Sequence, residues 1–469
     1  MRSTFAASML FLSGCWNGAD ALHLPCTDDD HCGRGQSCVD GFCDGPPEGS
    51  SGTAVQTDSG SASDSGAACL PAVPSTCASQ VAASPRALSA TTLVNVSFGR
   101  GLAVVSGQFA GNERIDLAVL NGGGYSLAVM ENAPNTWIEA DLFYVDTSLT
   151  ELRDMLAIDL DGDQQTEFVV LSAIAGAEVF DWSDEAGTSL GLVDLPTSDL
   201  LSLAGADVNG DGNPELIVSG SSQVHIVPND GGDLDGEATR SVSGSFAQPW
   251  DTFVVGEGPE IRILVPEADN TATMGVENQL VNMLRVAELA PVATAELGSD
   301  FQNPWAIAEG DFLGDEALEI VVAERRLNLP DIQNGTTEPG RLRFFSLVGD
   351  AVSDVGEPLE IGVGPMALAA ADLDCDGKDD LVIGTSGSPG MYDGSPQVLF
   401  GSCDASASAE NLLTLGQVEG SGVNAWTRMA VGDFDDDGLP EVAIADVGNL
   451  DDASVPGERV VFVGVQEAM

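Results

Sequence analysis

The chain has 469 residues, of which 43% are hydrophobic, enough to bury one large core or two ordinary ones. Lys and Arg total 16 against 74 Asp and Glu, a formal net charge of −58. That charge excludes a reader of nucleic-acid phosphates and opposes binding to anionic headgroups, while supplying the carboxylates that hard cations need. No run of 18 apolar residues occurs, so nothing reads as a membrane-spanning helix. Many short apolar runs between Asp-rich stretches, with 55 Gly, predict an all-β chain with many turns.

At the N-terminus Met1-Arg2 is basic, Phe5 to Leu12 is apolar, and Leu12-Ser13-Gly14-Cys15 follows. This resembles a bacterial lipobox. The resemblance implies a signal peptide over residues 1–14, cleavage before Cys15 and a lipid on that cysteine. It further implies an exported bacterial lipoprotein at the outer membrane or cell surface, held by its lipid anchor only; Trp16, where Asp would retain it, favours the outer membrane. Eight other cysteines remain, an even number that fits export: Cys26, Cys32, Cys38, Cys43, Cys69, Cys77, Cys375 and Cys403. The first four predict a small disulfide module over 15–44. A zinc site with His23 or His31 is the weaker reading, because zinc cysteines usually lie two to four residues apart. Three pairings of these four stay open. Residues 45–86 are rich in Gly, Ser and Asp without apolar periodicity and read as a flexible linker; 25 such residues reach about 28 Å.

Internal repeats follow. Four acidic turns share one frame: Asp159-Leu160-Asp161-Gly162-Asp163-Gln164-Gln165-Thr166-Glu167, Asp207 to Glu215, Asp372 to Asp380, and Asp433 to Glu441. Side-chain oxygens fall at position 1 (Asp159, Asp207, Asp372, Asp433), position 3 (Asp161, Asn209, Asp374, Asp435) and position 5 (Asp163, Asp211, Asp376, Asp437). A backbone carbonyl is available at position 7 (Gln165, Asn213, Lys378, Leu439), and an acid closes position 9 (Glu167, Glu215, Asp380, Glu441). Apolar runs flank each turn, so each reads as strand, acidic loop, strand. Alternating oxygens on one side of a tight turn suit Ca²⁺, which takes six to eight oxygen ligands. An EF-hand would need Glu at position 12, where Val170, Val218, Ile383 and Ile444 stand instead. Three eroded copies complete the series: Asp311 to Glu319, with Leu313 at position 3; Gln108 to Asp116; and the stretch closed by Glu260. The seven closing acids are 45 to 61 residues apart, a period that fits four short strands per repeat.

Such D-x-[DN]-x-D-x-x-x-[DE] turns between apolar strands resemble FG-GAP repeats, although only Phe98-Gly99 and Gly364-Pro365 remain of the signatures that name the family. The resemblance implies a seven-bladed β-propeller of four-stranded antiparallel blades over 87–469, with about four Ca²⁺ ions. It puts the calcium turns on one face and ligand binding on the other. Trp250, Trp305 and Trp426 stand where inner strands begin on that second face, as inter-blade packing or as a platform for a sugar or peptide. The last repeat lacks a fourth strand, and Leu88 to Phe98 is an orphan strand that completes it and closes the ring. Cys375 and Cys403 fall on the calcium face, which predicts their pairing. The function expected is a binding, adhesion or scaffold module, acting as a monomer on an unknown protein or glycan. The alternative is a lectin-like or polysaccharide-processing glycosidase or lyase. An enzyme is not favoured: the three histidines and three tyrosines are scattered and no H-E-x-x-H occurs.

Overall fold

A strand presents alternate side chains to opposite faces, so a strand buried on both faces reads as a continuous apolar run. The runs flanking the acidic turns are of this kind. In a computed structural model, residues 37–39, 42–44, 88–95 and most of 101–465 are described; the longest stretches left out of that last range are 268–278, 327–337 and 416–428. Among the described residues, seven four-stranded antiparallel sheets form a β-propeller.

Each blade runs from an inner strand A to an outer strand D. Blade 1 is Gly101–Gly107, Asp116–Asn121, Ser126–Ala133 and Thr136–Tyr144. Blade 2 is Leu152–Ile158, Glu167–Ser172, Gly176–Ser183 and Ala186–Val193. Blade 3 is Leu200–Ala206, Glu215–Gly220, Gln223–Val227 and Arg240–Ser243, with a small hairpin, Asn229–Asp230 and Asp233–Leu234, between C and D. Blade 4 is Phe253–Val255, Arg262–Pro266, Gln279–Ala287 and Ala290–Phe301. Blade 5 is Pro304–Gly310, Glu319–Glu324, Arg341–Val348 and Ala351–Glu360. Blade 6 is Pro365–Ala371, Asp380–Thr385, Gln397–Leu399 and Leu412–Thr414. Blade 7 is Met429–Gly432, Glu441–Gly448, Pro456–Val465 and, as its outer strand, Leu88–Asn95.

The inner strands touch in sequence and the last touches the first, which closes the ring. Seven separate apolar clusters fill the seven gaps. Ala103, Val105 and Leu120 of blade 1 meet Met155 and Phe168 of blade 2, while Val104 and Leu117 face Ala430, Ala443 and Phe462 of blade 7. The N-terminal strand pairs antiparallel with the last strand, Leu88 opposite Val465. Val463 in turn lies opposite Val442, just after the acidic turn of blade 7. The chain therefore enters the ring on the face that carries the acidic turns.

Side chains also bolt inner strands together. Asp154 of blade 2 accepts the Leu203 N–H of blade 3 at 2.7 Å, and Asp251 accepts the Ile307 N–H of blade 5 at 2.9 Å. The Ser106 hydroxyl donates to the Val431 carbonyl across the gap between blades 1 and 7. Among the described residues no helix is long and apolar enough to cross a membrane.

Candidate metal centre: the acidic turns

Among the described residues, six blades build their A–B turn around the same hydrogen bond; in blade 4, Glu260 lies outside the described residues. The closing acid accepts the backbone N–H of position 2: Asp116 from Phe109, Glu167 from Leu160, Glu215 from Val208, Glu319 from Phe312, Asp380 from Leu373 and Glu441 from Phe434, at 2.6 to 3.1 Å. The position 2 side chain is apolar in every case and plugs an inter-blade core. Blades 1 and 5 keep this clamp although they have lost metal-type oxygens, so the closing acid has a structural role of its own. Sequence reasoning followed the oxygens and missed the plug; its signal is the unbroken Phe, Leu or Val at position 2.

The other oxygens are oriented by side-chain-to-backbone turns. Asp207 accepts from Gly210 and Asp211 on one oxygen and from Gly212 on the other. Asp372 accepts from Asp376 and Gly377, and Asp159 from Gly162. Position 4 must be left-handed: Gly162 and Gly210 both have φ +76°, and Cys375 takes φ +53° in blade 6.

In blade 2, oxygens of Asp159, Asp161 and Glu167 converge within 4.8 Å of one another, and in blade 6 those of Asp372, Asp374 and Asp380 do the same. The electrostatics record the crowding. Burial, with the charges of Asp161, Asp159 and Asp163 adding to it, pushes Glu167 up to about 7. Burial pushes Asp380 up to about 8 and Asp372 up to about 6, again reinforced by neighbouring carboxylates. Glu215 rises to about 7, chiefly through burial. Exposed Asp211 is instead lowered by hydrogen bonds from the Asn213 N–H and the Asn209 amide. A set of three convergent carboxylate donors, crowded by the fold, fits a hard divalent cation.

Position 7 plays a part that the frame did not suggest. Its side chain donates to the position 5 carboxylate: Gln165 to Asp163 at 3.0 Å, Asn213 to Asp211 at 3.2 Å, and Lys378 to Asp376. In blade 3 the Asn209 amide also donates to Asp211 and Glu215. The small hairpin of blade 3 buttresses the blade 2 turn: Asn229 donates to the Leu160 carbonyl, and a Cβ on Gly232 would come within 2.9 Å of Asp161. In blade 5, Leu313 is buried, and Glu319 accepts both the Phe312 and Leu313 amides. In blade 7, Asp435 and Asp437 lie outside the described residues, while Asp433, Leu439 and Glu441 bracket them.

On the opposite face Trp250 and Trp305 stack, centroids 5.2 Å apart, with the Arg325 guanidinium over Trp305. Trp305 is 5% exposed and belongs to the core between blades 5 and 6, against which Trp250 also packs. These two tryptophans therefore cement blades; Trp426 lies outside the described residues. A cavity of about 240 Å³ on blade 6 is lined by Gly362, Val363, Thr385, Ser395, Gln397 and Thr414. Its polar side chains already bond one another or the backbone. Gly187-Thr188-Ser189-Leu190-Gly191 spells a G-x-S-x-G string. It lies in the outer strand of blade 2, where Ser189 donates to Glu178, and no strand-to-helix elbow is present there.

Of the cysteines, Cys38 and Cys43 stand opposite each other in a short hairpin, and Cys375 is disulfide-bonded. Cys15, Cys26, Cys32, Cys69, Cys77 and Cys403 lie outside the described residues.

A family model described as an FG-GAP-like repeat matches residues 159–218, which span the acidic turns of blades 2 and 3 and the strands between them. No curated protein matches the chain. Among solved structures, the N-terminal domain of Nup159 aligns at 10% identity over 81% of this chain and 96% of its own, with a TM-score of 0.45. BBS1N in complex with ARL6DN, in crystals soaked with mercury or with lead, aligns at 11% identity over 82% of this chain and 97% of its own, with TM-scores of 0.49 and 0.48.

Proposed function

From the premise that the chain is a seven-bladed propeller built on FG-GAP-like repeats, we propose that it is a calcium-stabilised binding or scaffold module, exported and tethered to a bacterial surface through Cys15. The fold is consistent with a binding or scaffold role. The observation that carries the calcium reading is the convergence of Asp159, Asp161 and Glu167 in a turn held by backbone amides. Calcium acts there as a structural ion: it neutralises carboxylates that the fold forces together, and it binds the native state only, so it stabilises that state by mass action. Asp372, Asp374 and Asp380 converge likewise in blade 6, the turns at Asp207 and Asp433 share the same sequence frame, and the turn at Asp311, with Leu313 buried at position 3, does not.

Entry of the chain on the acidic face gives the tether a direction. A lipid on Cys15 would place the calcium turns toward the membrane and leave the opposite face for a protein or glycan partner. Chelation tests the reading. EDTA should lower the melting temperature and calcium should restore it; an unchanged melt would refute it.

A further inference from the structure

The acidic turn of blade 6 carries a cation of its own. Lys378 is the only lysine among the 469 residues. It is 3% exposed and sits at position 7. Its backbone N–H donates to one oxygen of Asp376 at 3.0 Å, and its ammonium pairs with the other. Gln165 and Asn213 hold the position 5 carboxylates of blades 2 and 3 in the same way, but with neutral amides. Where those turns receive a dipole, blade 6 receives a full positive charge.

The surroundings are shaped around that side chain. Gly401 follows strand C of the same blade and donates its N–H to Asp380 at 2.9 Å. A Cβ there would lie 2.7 Å from the Asp379 carbonyl and 2.8 Å from the Lys378 Cβ, so glycine is what lets this strand end approach the turn. Cys375, disulfide-bonded, fixes the left-handed residue of the turn where blades 2 and 3 have glycine.

We propose that the Lys378 ammonium is the resident cation of the blade 6 turn, so that this turn keeps its shape without calcium while the turns of blades 2 and 3 depend on it. The inference rests on the calcium reading for those two blades. The convergent oxygens are those of Asp372, Asp374 and Asp380; the ammonium pairs with the neighbouring Asp376, and a positive charge tethered beside the cluster by the backbone is present at every calcium concentration. The ammonium also repels a divalent ion entering beside Asp376.

Hydrogen exchange of the full chain, read by mass spectrometry with calcium and after chelation, tests this. In the natural protein, peptides covering 159–167 and 207–215 should lose protection about tenfold on chelation, and the peptide covering 372–380 should change less than about twofold. In Lys378→Gln the 372–380 peptide should become calcium-dependent like the others, and Lys378→Arg should keep the natural behaviour. Acylation by an amine-reactive ester gives a second readout, because this is the only ε-amine in the chain. Lys378 should react about tenfold more slowly than in urea, with or without calcium. The proposal is overturned if 372–380 and 159–167 lose protection alike in the natural protein, or if calcium accelerates acylation of Lys378. If no peptide responds to chelation in either the natural protein or Lys378→Gln, the calcium reading itself fails and takes the proposal with it. A Lys378→Gln protein that folds only in calcium supports the proposal. One that folds in neither condition leaves the decision to the natural protein, Lys378→Arg and the acylation rate.

Discussion

The bolts between inner strands make a strong prediction about stability. Asp154 is 4% exposed; one of its oxygens accepts the Met155 N–H at 2.9 Å and the other accepts the Leu203 N–H of the next blade at 2.7 Å. Asp154→Ala removes the acceptor from two buried amides. Each buried donor left unpaired costs about 1–3 kcal/mol, so the expected loss for two is on the order of 2–6 kcal/mol. Asp154→Asn keeps one acceptor oxygen and should lose about half as much. Asp251, which accepts from Thr252 and Ile307 between blades 4 and 5, should behave the same way. The double variant should depart from additivity by about 0.5 kcal/mol or more, because the Ser202 and Thr252 hydroxyls beside the two bolts hydrogen-bond each other. Urea unfolding monitored by fluorescence and circular dichroism measures this, with the slope of the transition checked for constancy. If Asp154→Ala shifts stability by less than about 0.5 kcal/mol, the amides find other partners and the bolt is ornamental.

Deleting residues 88–95 should sharply lower the melting temperature, because it removes the outer strand of blade 7 and exposes a strand edge where the ring closes; a truncated protein that melts like the natural one would sink the closure. His225, buried in strand C of blade 3 with Nδ1 2.7 Å from the Ser241 hydroxyl, is held down to about 4 by burial. Its folded pKa lies below the unfolded value of 6.5, so its contribution is complete above 6.5 and is lost as pH falls through about 4. The loss is on the order of 3 kcal/mol, and His225→Gln should lack that share of the acid sensitivity when both proteins are unfolded in urea across the window. Cys375 should pair with Cys403, since Gly401 and Ser402 already lie against the turns of blades 6 and 5; non-reducing peptide mapping that recovers Cys403 in any other bond would reject the pairing.

The blade count was legible because the closing acid does two jobs. Even where metal oxygens are gone, as at Asp116 and Glu319, the acid persists to accept the position 2 amide, so the period survives in the sequence. The orphan strand was legible for a physical reason as well: a ring cannot leave an inner-to-outer sheet one strand short without exposing an edge. Other features were hidden. The hairpin at Asn229–Leu234 is a local insertion with no period, and its contact with Asp161 depends on how blades 2 and 3 pack. The inner-strand bolts rest on single Asp residues in a chain crowded with Asp, so composition masks them. The tryptophans were ambiguous because strand position does not say whether a ring turns into the channel or into the gap between blades. The Trp250–Trp305 stack turns into the gap.

Crystals grown in calcium and measured for anomalous scattering address the central claim most directly. The account predicts a calcium peak bounded by Asp159, Asp161 and Glu167, a second at the Asp207 turn, and none beside Leu313 in blade 5. Calcium-free density at the Asp159 turn, with its carboxylates hydrogen-bonded only to protein and water, would contradict it.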